Sequence, residues 1–191
     1  MGPEDVGARL AELIPGATAS VSGGGAHARA TVDVPADAWV AAAQAAREEL
    51  GCDFFDWLSA VDELEGQFSV VTHLWSTSNK HGVLLRTRLT SPGLSLASLT
   101  SIYSGAAWHE RETCEMFGIG FPDKLDPLLL PPEFEGNPLR KSFVLASRVA
   151  KAWPGAREPG ESHDANAPKR TTMRPPGVPA PGEWGPEASP E

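Results

Sequence analysis

Between Gly118 and Phe143 the chain has no pattern that could close it on itself. Prolines at positions 122, 127, 131, 132 and 138 remove backbone donors and fix φ. Neither a continuous helix nor an interior strand can run through them. Such a segment has to be laid along another surface. It follows a short helical run crowded with charge (Glu110, Arg111, Glu112 and Glu115) and closes on Glu135-Gly136-Asn137-Pro138-Leu139-Arg140-Lys141. A charged helix followed by an extended strap is the pattern of a chain built to dock.

Upstream the periodicities are regular. Residues 4–14 predict a helix with Val6, Leu10, Leu13 and Ile14 on one side. Strands over 17–22 and 26–34 flank the flexible Gly23-Gly24-Gly25 loop. Pro35 suits a helix's first turn, and Trp39, Ala43, Ala46 and Leu50 form the buried stripe of a helix stopped by Gly51. Three strands follow, over 54–64, 67–75 and 82–89. The second alternates Phe68, Val70, Thr72 and Leu74 with Ser69, Val71, His73 and Trp75, as a half-buried strand does. Short helices are predicted over 95–103 and 106–117. The order of elements implies an α+β fold: a mixed β-sheet with helices on one face, followed by a long extended proline-rich C-terminal docking tail. The expected parts are an α+β domain over 1–118, an extended docking segment over 119–145 and a proline-rich tail over 146–191, ordered only on a partner. Nine of the 18 prolines lie in the last 45 residues, where Trp153, Arg157, Met173 and Trp184 are spaced as anchors.

Composition excludes several functions. A net charge of −9 argues against nucleic acid or an anionic membrane as the main partner. No run approaches the roughly 18 apolar residues of a membrane span. The opening MGPEDVGARL is acidic and lacks an apolar core, so it is not read as a signal peptide. Cys52 and Cys114, the only two cysteines, cannot hold an iron–sulfur cluster by four thiolates. There is no Gly-x-Gly-x-x-Gly fingerprint and no phosphate-binding Gly-Lys-Ser/Thr loop.

The chemistry-bearing candidates reduce in the same way. His109-Glu110-Arg111-Glu112-Thr113 begins like a His-Glu-x-x-His zinc helix, but Thr113 stands where the second imidazole is needed. Cys114 and His109 lie about 140° apart on a helix of 3.6 residues per turn, too far round to share a hydrogen bond. His27, His73 and His81 read as ordinary sheet or surface residues. Arg111 and Glu115, four apart, can pair along one flank. Glu110 projects to another side from Glu112 and Glu115, so charge wraps around the helix. The pattern fits either a solvated helix with local pairs or charges desolvated at a contact between subunits, where each supplies register. Arginine's planar fork at 111 makes lysine a poor substitute. Leu128-Leu129-Leu130, flanked by prolines, reads as packing into a groove. Arg140 and Lys141 suit an acidic loop of a partner.

Four blocks carry a resemblance: Glu110-Arg111-Glu112, Met116-Phe117-Gly118-Ile119, Leu128-Leu129-Leu130-Pro131, and Glu135 through Lys141. In this order they are similar to the C subunit of respiratory complex I, the thirty-kilodalton-type component of proton-pumping NADH:quinone oxidoreductase. Residues 35–105 resemble the family more loosely. The sequence departs from the family pattern at Cys114, usually aromatic, at Glu115, usually Asp, and in a shortened turn over 122–127.

The resemblance implies a cofactor-free component of the peripheral arm, gripping the D subunit, which shapes the quinone site, beside the B and I subunits. It would lie on the cytoplasmic side of the cell membrane and reach the membrane only through partners. FMN and iron–sulfur clusters would sit in partner subunits, which pass electrons from NADH to quinone and couple this to proton translocation. Glu110, Arg111, Glu112, Glu115, Glu135, Arg140 and Lys141 are the implied interface residues, with no catalytic, cofactor or metal role in this chain. The equivalent component of a membrane-bound hydrogenase or another quinone-linked dehydrogenase is the alternative. A free-standing enzyme using Cys114 would need a concave site with a shifted pKa. A soluble binding module would instead fold fully by itself and order its tail on a transient ligand.

Overall fold

A computed structural model describes residues 1–122 and 126–144. The anchors expected at 153, 157, 173 and 184 and the tail over 146–191 lie outside the described residues. Three helices and five strands run in the order α1 (Pro3–Leu13), β1 (Thr18–Ser22), β2 (Arg29–Asp33), α2 (Trp39–Glu48), β3 (Phe54–Leu64), β4 (Gln67–Ser76), β5 (His81–Thr90) and α3 (Ala106–Phe117). They form one mixed sheet in the order β1-β2-β5-β4-β3. Only β2 and β5 pair parallel, because α2 and the β3–β4 hairpin intervene between them.

The register explains which face is covered. Leu58 and Ala60 of β3 stand opposite Thr72 and Val70 of β4, and these in turn face Leu85 and Thr87 of β5. All six are buried, as a period of two requires for the side against the helices. α1 reaches this face at Gly7, where an added Cβ would lie 3.3 Å from that of Ala19. α3 reaches it at Phe117, whose ring meets Phe68 edge-on at 6.5 Å. The stripe Trp39, Ala43, Ala46 and Leu50 is buried with them. Three small residues, Ala42, Ala43 and Ala46, let α2 sit close, and Trp39 fills the remaining space. Complete burial of that indole stabilises by about 3 kcal/mol.

Two local expectations change. The helix expected from Pro35 opens instead as a 3₁₀ turn over Ala36–Ala38 before α2 begins. The helix expected over 95–103 is absent. Ser95 bridges Gly120 in parallel, with Leu96 N donating to Gly120 O at 3.0 Å, and a tight turn follows over 99–103. Polar side chains outcompete helical bonding there: Ser98 Oγ accepts from Thr100 N, and Glu110 accepts from Leu99 N.

The charged helix and its strap as a candidate functional site

α3 ends at Gly118, which takes the left-handed conformation at φ 70° and returns its N–H to Cys114 O at 2.8 Å. A Cβ at Gly118 would stand 2.7 Å from Asn137 Oδ1 and closer still to the Arg140 guanidinium. Glycine is therefore required twice, for its φ and for the approach of a segment some twenty residues downstream.

That segment closes the helix. A helix leaves its last four carbonyls without intrahelical partners. Here Cys114 O accepts from Gly118 N, and Glu115 O accepts from Asn137 Nδ2 at 2.8 Å. Met116 O accepts from Leu139 N at 3.1 Å, and Phe117 O accepts from Arg140 Nε at 2.6 Å. Arg140 thus sets a cation at the negative end of the helix dipole while its guanidinium covers the Phe68 ring at 5.3 Å. Residues 137–140 are a C-terminal cap supplied from a distance.

The outer face of α3 holds the middle of the strap. Arg111 donates from Nε to Asp126 O and from a terminal nitrogen to Pro127 O, both at 2.9 Å. Glu115 accepts from Leu128 N at 2.5 Å, Leu129 N at 2.9 Å and Leu130 N at 3.3 Å. The two side chains do not make the i, i+4 pair their spacing allows. One reads consecutive carbonyls and the other consecutive amides, so these two grips engage only the strap's backbone. At its far end Lys141 N donates to Asp62 Oδ2 at 2.8 Å, while Asp62 Oδ1 accepts from Leu64 N at 2.9 Å. The N–H groups of Lys141 and then Leu64 hold the Asp62 carboxyl below the usual carboxylate range.

Glu110 faces inward and is 1% exposed. Its two oxygens accept from Leu99 N and Ser98 Oγ, each at 2.7 Å, and so fix the turn before α3. Of the seven interface residues expected from sequence, Arg111, Glu115 and Arg140 grip this chain's own backbone and Glu110 is internal. Glu112 is half-buried, and Glu135 and Lys141 are exposed. Arg140 was expected to meet a partner's acidic loop; in this chain its guanidinium lies on Phe117 O. Sequence reasoning missed Asp62 and Asn137, and the Asp-x-Leu-Glu-Gly turn was the available signal for the first.

Large apolar side chains of the helix and strap stay in solvent. Trp108, Leu129 and Leu139 are 62%, 60% and 52% exposed. Trp108 is steadied by the Arg111 guanidinium, 5.7 Å from its ring centre. Leu128 and Leu130, expected to fill a groove, are half-buried.

The thiols do not suit nucleophilic work. Burial, then the neighbouring Asp53, pushes Cys52 up to about 12, and burial, then Glu115, raises Cys114. His109 sets Nδ1 3.2 Å from Leu58 O and packs edge-on against Phe55. A cleft lined by Arg47, Asp53, Phe55 and Tyr103 has its polar groups engaged internally: Tyr103 Oη donates to Cys52 O at 2.7 Å, and Arg47 donates to Ile102 O. Among the described residues no three His, Cys, Asp or Glu side chains could hold a metal ion, and no helix is long and apolar enough to cross a membrane.

Residues 32–149 match the profile of the respiratory-chain NADH dehydrogenase 30 Kd subunit. The NADH-quinone oxidoreductase C subunit of Roseiflexus castenholzii is 43% identical over 103 residues, which are 52% of this chain and 59% of that protein. The chain therefore spans well under two thirds of that relative. The NADH-quinone oxidoreductase C/D subunit of Citrobacter koseri is 41% identical over 90 residues, 46% of this chain and 14% of the longer one. Among solved structures, a chain of the membrane-bound sulfane sulfur reductase, an archaeal respiratory membrane complex, superposes with a TM-score of 0.61 at 24% identity. That match covers 75% of this chain and 86% of the other and shows a shared fold.

Proposed function

The chain belongs to the respiratory-chain NADH dehydrogenase 30 Kd subunit family, and from that premise we propose that it is a non-redox peripheral-arm component of an NADH:quinone oxidoreductase. Its work is to brace the neighbouring polypeptide that shapes the quinone site. Flavin, clusters and quinone are held by partners, and the parent complex couples electron transfer from NADH to proton translocation. The chain joins the cytoplasmic side of the membrane through those partners.

One observation carries this reading. Arg111 and Glu115 of α3 are spent on the strap's backbone, which orders the strap in advance and leaves Leu129 and Leu139 on it, and Trp108 on the helix, exposed. Ordering a strap at the moment of binding costs conformational entropy; a strap already fastened avoids that cost. An exposed tryptophan beside an arginine is a usual anchor of an interface, and the leucines add apolar area around it. The relatives that carry the joint C/D designation, with both parts in one polypeptide, support the D subunit as the neighbour. Bracing matters for chemistry because a displacement of about 1 Å at a reacting centre costs roughly two orders of magnitude in rate.

The test is an affinity pull-down of the tagged full chain from solubilised membranes, with wild type beside a Trp108→Ser/Leu129→Ser variant. The proposal expects flavin, cluster and membrane subunits to co-purify with NADH:quinone activity, and the variant to lose them while keeping wild-type thermal unfolding. Recovery of a nickel–iron hydrogenase set would assign the chain to that related machine. Equal recovery by the variant would remove this surface from the interface.

A further inference from the structure

The sheet face turned away from α1 and α3 departs from what a solvated face should be. An antiparallel sheet with one face in water alternates polar residues outward. On β3 and β4 the outward positions instead include Trp57, Val61, Val71 and Trp75. Trp57 is 37% exposed. It stands opposite His73, whose ring centre lies 6.3 Å from that of Trp57 and 6.2 Å from that of Trp75. Gly82 makes room for this row, since a Cβ there would come within 2.7 Å of both His73 Nε2 and the Trp75 ring. Asp56, set at the register shift between Phe55 and Trp57, places Oδ2 2.8 Å from His73 Nδ1, yet its side chain stays 45% exposed.

The carboxylates of this side of β3 are Asp56 and Glu63. Of the cations on the same sheet face, Arg86 and Arg88 of β5 both point at Asp33, at 2.6 and 3.7 Å, while Arg29 of β2 donates to Ala28 O and lines a cleft with Lys80 and Trp75. Arg86 also feels Glu63, but Asp56 lies at the other end of the face. A carboxylate beside an exposed indole, as Asp56 is beside Trp57, complements a guanidinium: the ring attracts its charge, the carboxylate accepts its fork, and its aliphatic stem covers a valine.

We propose that the lane formed by Asp56, Trp57, Val61, Glu63, His73 and Trp75 is a docking surface for an arginine-bearing segment of a neighbouring polypeptide. It lies on the sheet face opposite α3, so it does not rest on the strap reading and can fail without it.

The test is calorimetric titration of the purified full chain with octa-arginine at low salt. An Asp56→Asn/Glu63→Gln variant is compared with Glu12→Gln/Glu48→Gln, which removes the same charge elsewhere. The proposal expects the first to bind about tenfold more weakly, the second to stay within about twofold of wild type, and Trp57→Ala to weaken binding with no change of charge. Equal effects of the two double variants, or no effect of Trp57→Ala, would reduce the binding to net charge and overturn the assignment. Tighter binding by a Lys169→Ala/Arg170→Ala/Arg174→Ala variant would give the lane to the chain's own C-terminal residues and overturn the neighbour. Near-UV circular dichroism of each variant establishes that the fold is retained.

Discussion

The interior of the sheet and the strap on α3 are held by opposite means. Val6, Leu10, Trp39 and the α2 alanines share one buried cluster with Ala30, Val32, Val83 and Leu85. That cohesion is non-directional and spread over many atoms, so it fails only as a whole. The strap leaves large apolar side chains in solvent and is fastened by a few directional bonds, from Arg111, Glu115 and Asp62 to its backbone and from its own Asn137 and Arg140 to the last carbonyls of α3. Such bonds can be lost singly, and only those of Asn137 and Arg140 specify side chains of the strap. A rigid platform thus carries a segment whose exposed residues are left available for recognition.

The contrast can be broken from either side. Trp39→Ala removes the largest buried side chain and is expected to cost about 3–5 kcal/mol in global stability, read as a lowered urea midpoint. Gly118→Ala forces a left-handed alanine against Asn137 and Arg140 and is expected to cost about 1–3 kcal/mol. Its amide exchange should quicken over 137–141 before the sheet is affected. Glu115→Ala removes the acceptor of three N–H groups that water can partly replace, a loss of about 1 kcal/mol. Exchange at Leu128–Leu130 should then rise about fivefold with β4 and β5 unchanged. A uniform rise across the sheet would merge the two regions and end the distinction.

The smallest effect is one of pH. Because the Asp62 carboxyl is held below its ordinary value, its contribution is complete above the unfolded-state value. It is lost as pH falls through the folded value, in the range below about pH 4. Protection of the Lys141 amide should fall in that range, and Asp62→Asn should abolish the dependence.

What could be read from sequence follows the same division. The alternation in Phe68–Trp75 set β4 on its correct face, and the bounds of β3 and α3 were legible because burial imposes periods of two and 3.6. The strap's need for a supporting surface was also legible, from its prolines. That the surface would include this chain's own α3 was not, because bonds to backbone carbonyls and amides leave no side-chain periodicity. Arg111 and Glu115 illustrate the limit: their spacing encodes a mutual pair as readily as two separate grips. Glu110 is expected from sequence at a contact between subunits, since nothing local reveals that Leu99 N and Ser98 Oγ await it.

The central claim is that the strap is fastened to α3 before any partner arrives. Amide hydrogen exchange of Leu128, Leu129 and Leu130 in the free full chain, with Glu115→Ala beside it, tests this most directly. The account predicts slowed exchange at all three amides in wild type, lost in the variant while β4 and β5 keep their protection. Exchange at the rate of an unstructured peptide in the wild-type chain would show that only a partner fastens the strap, and would contradict the account.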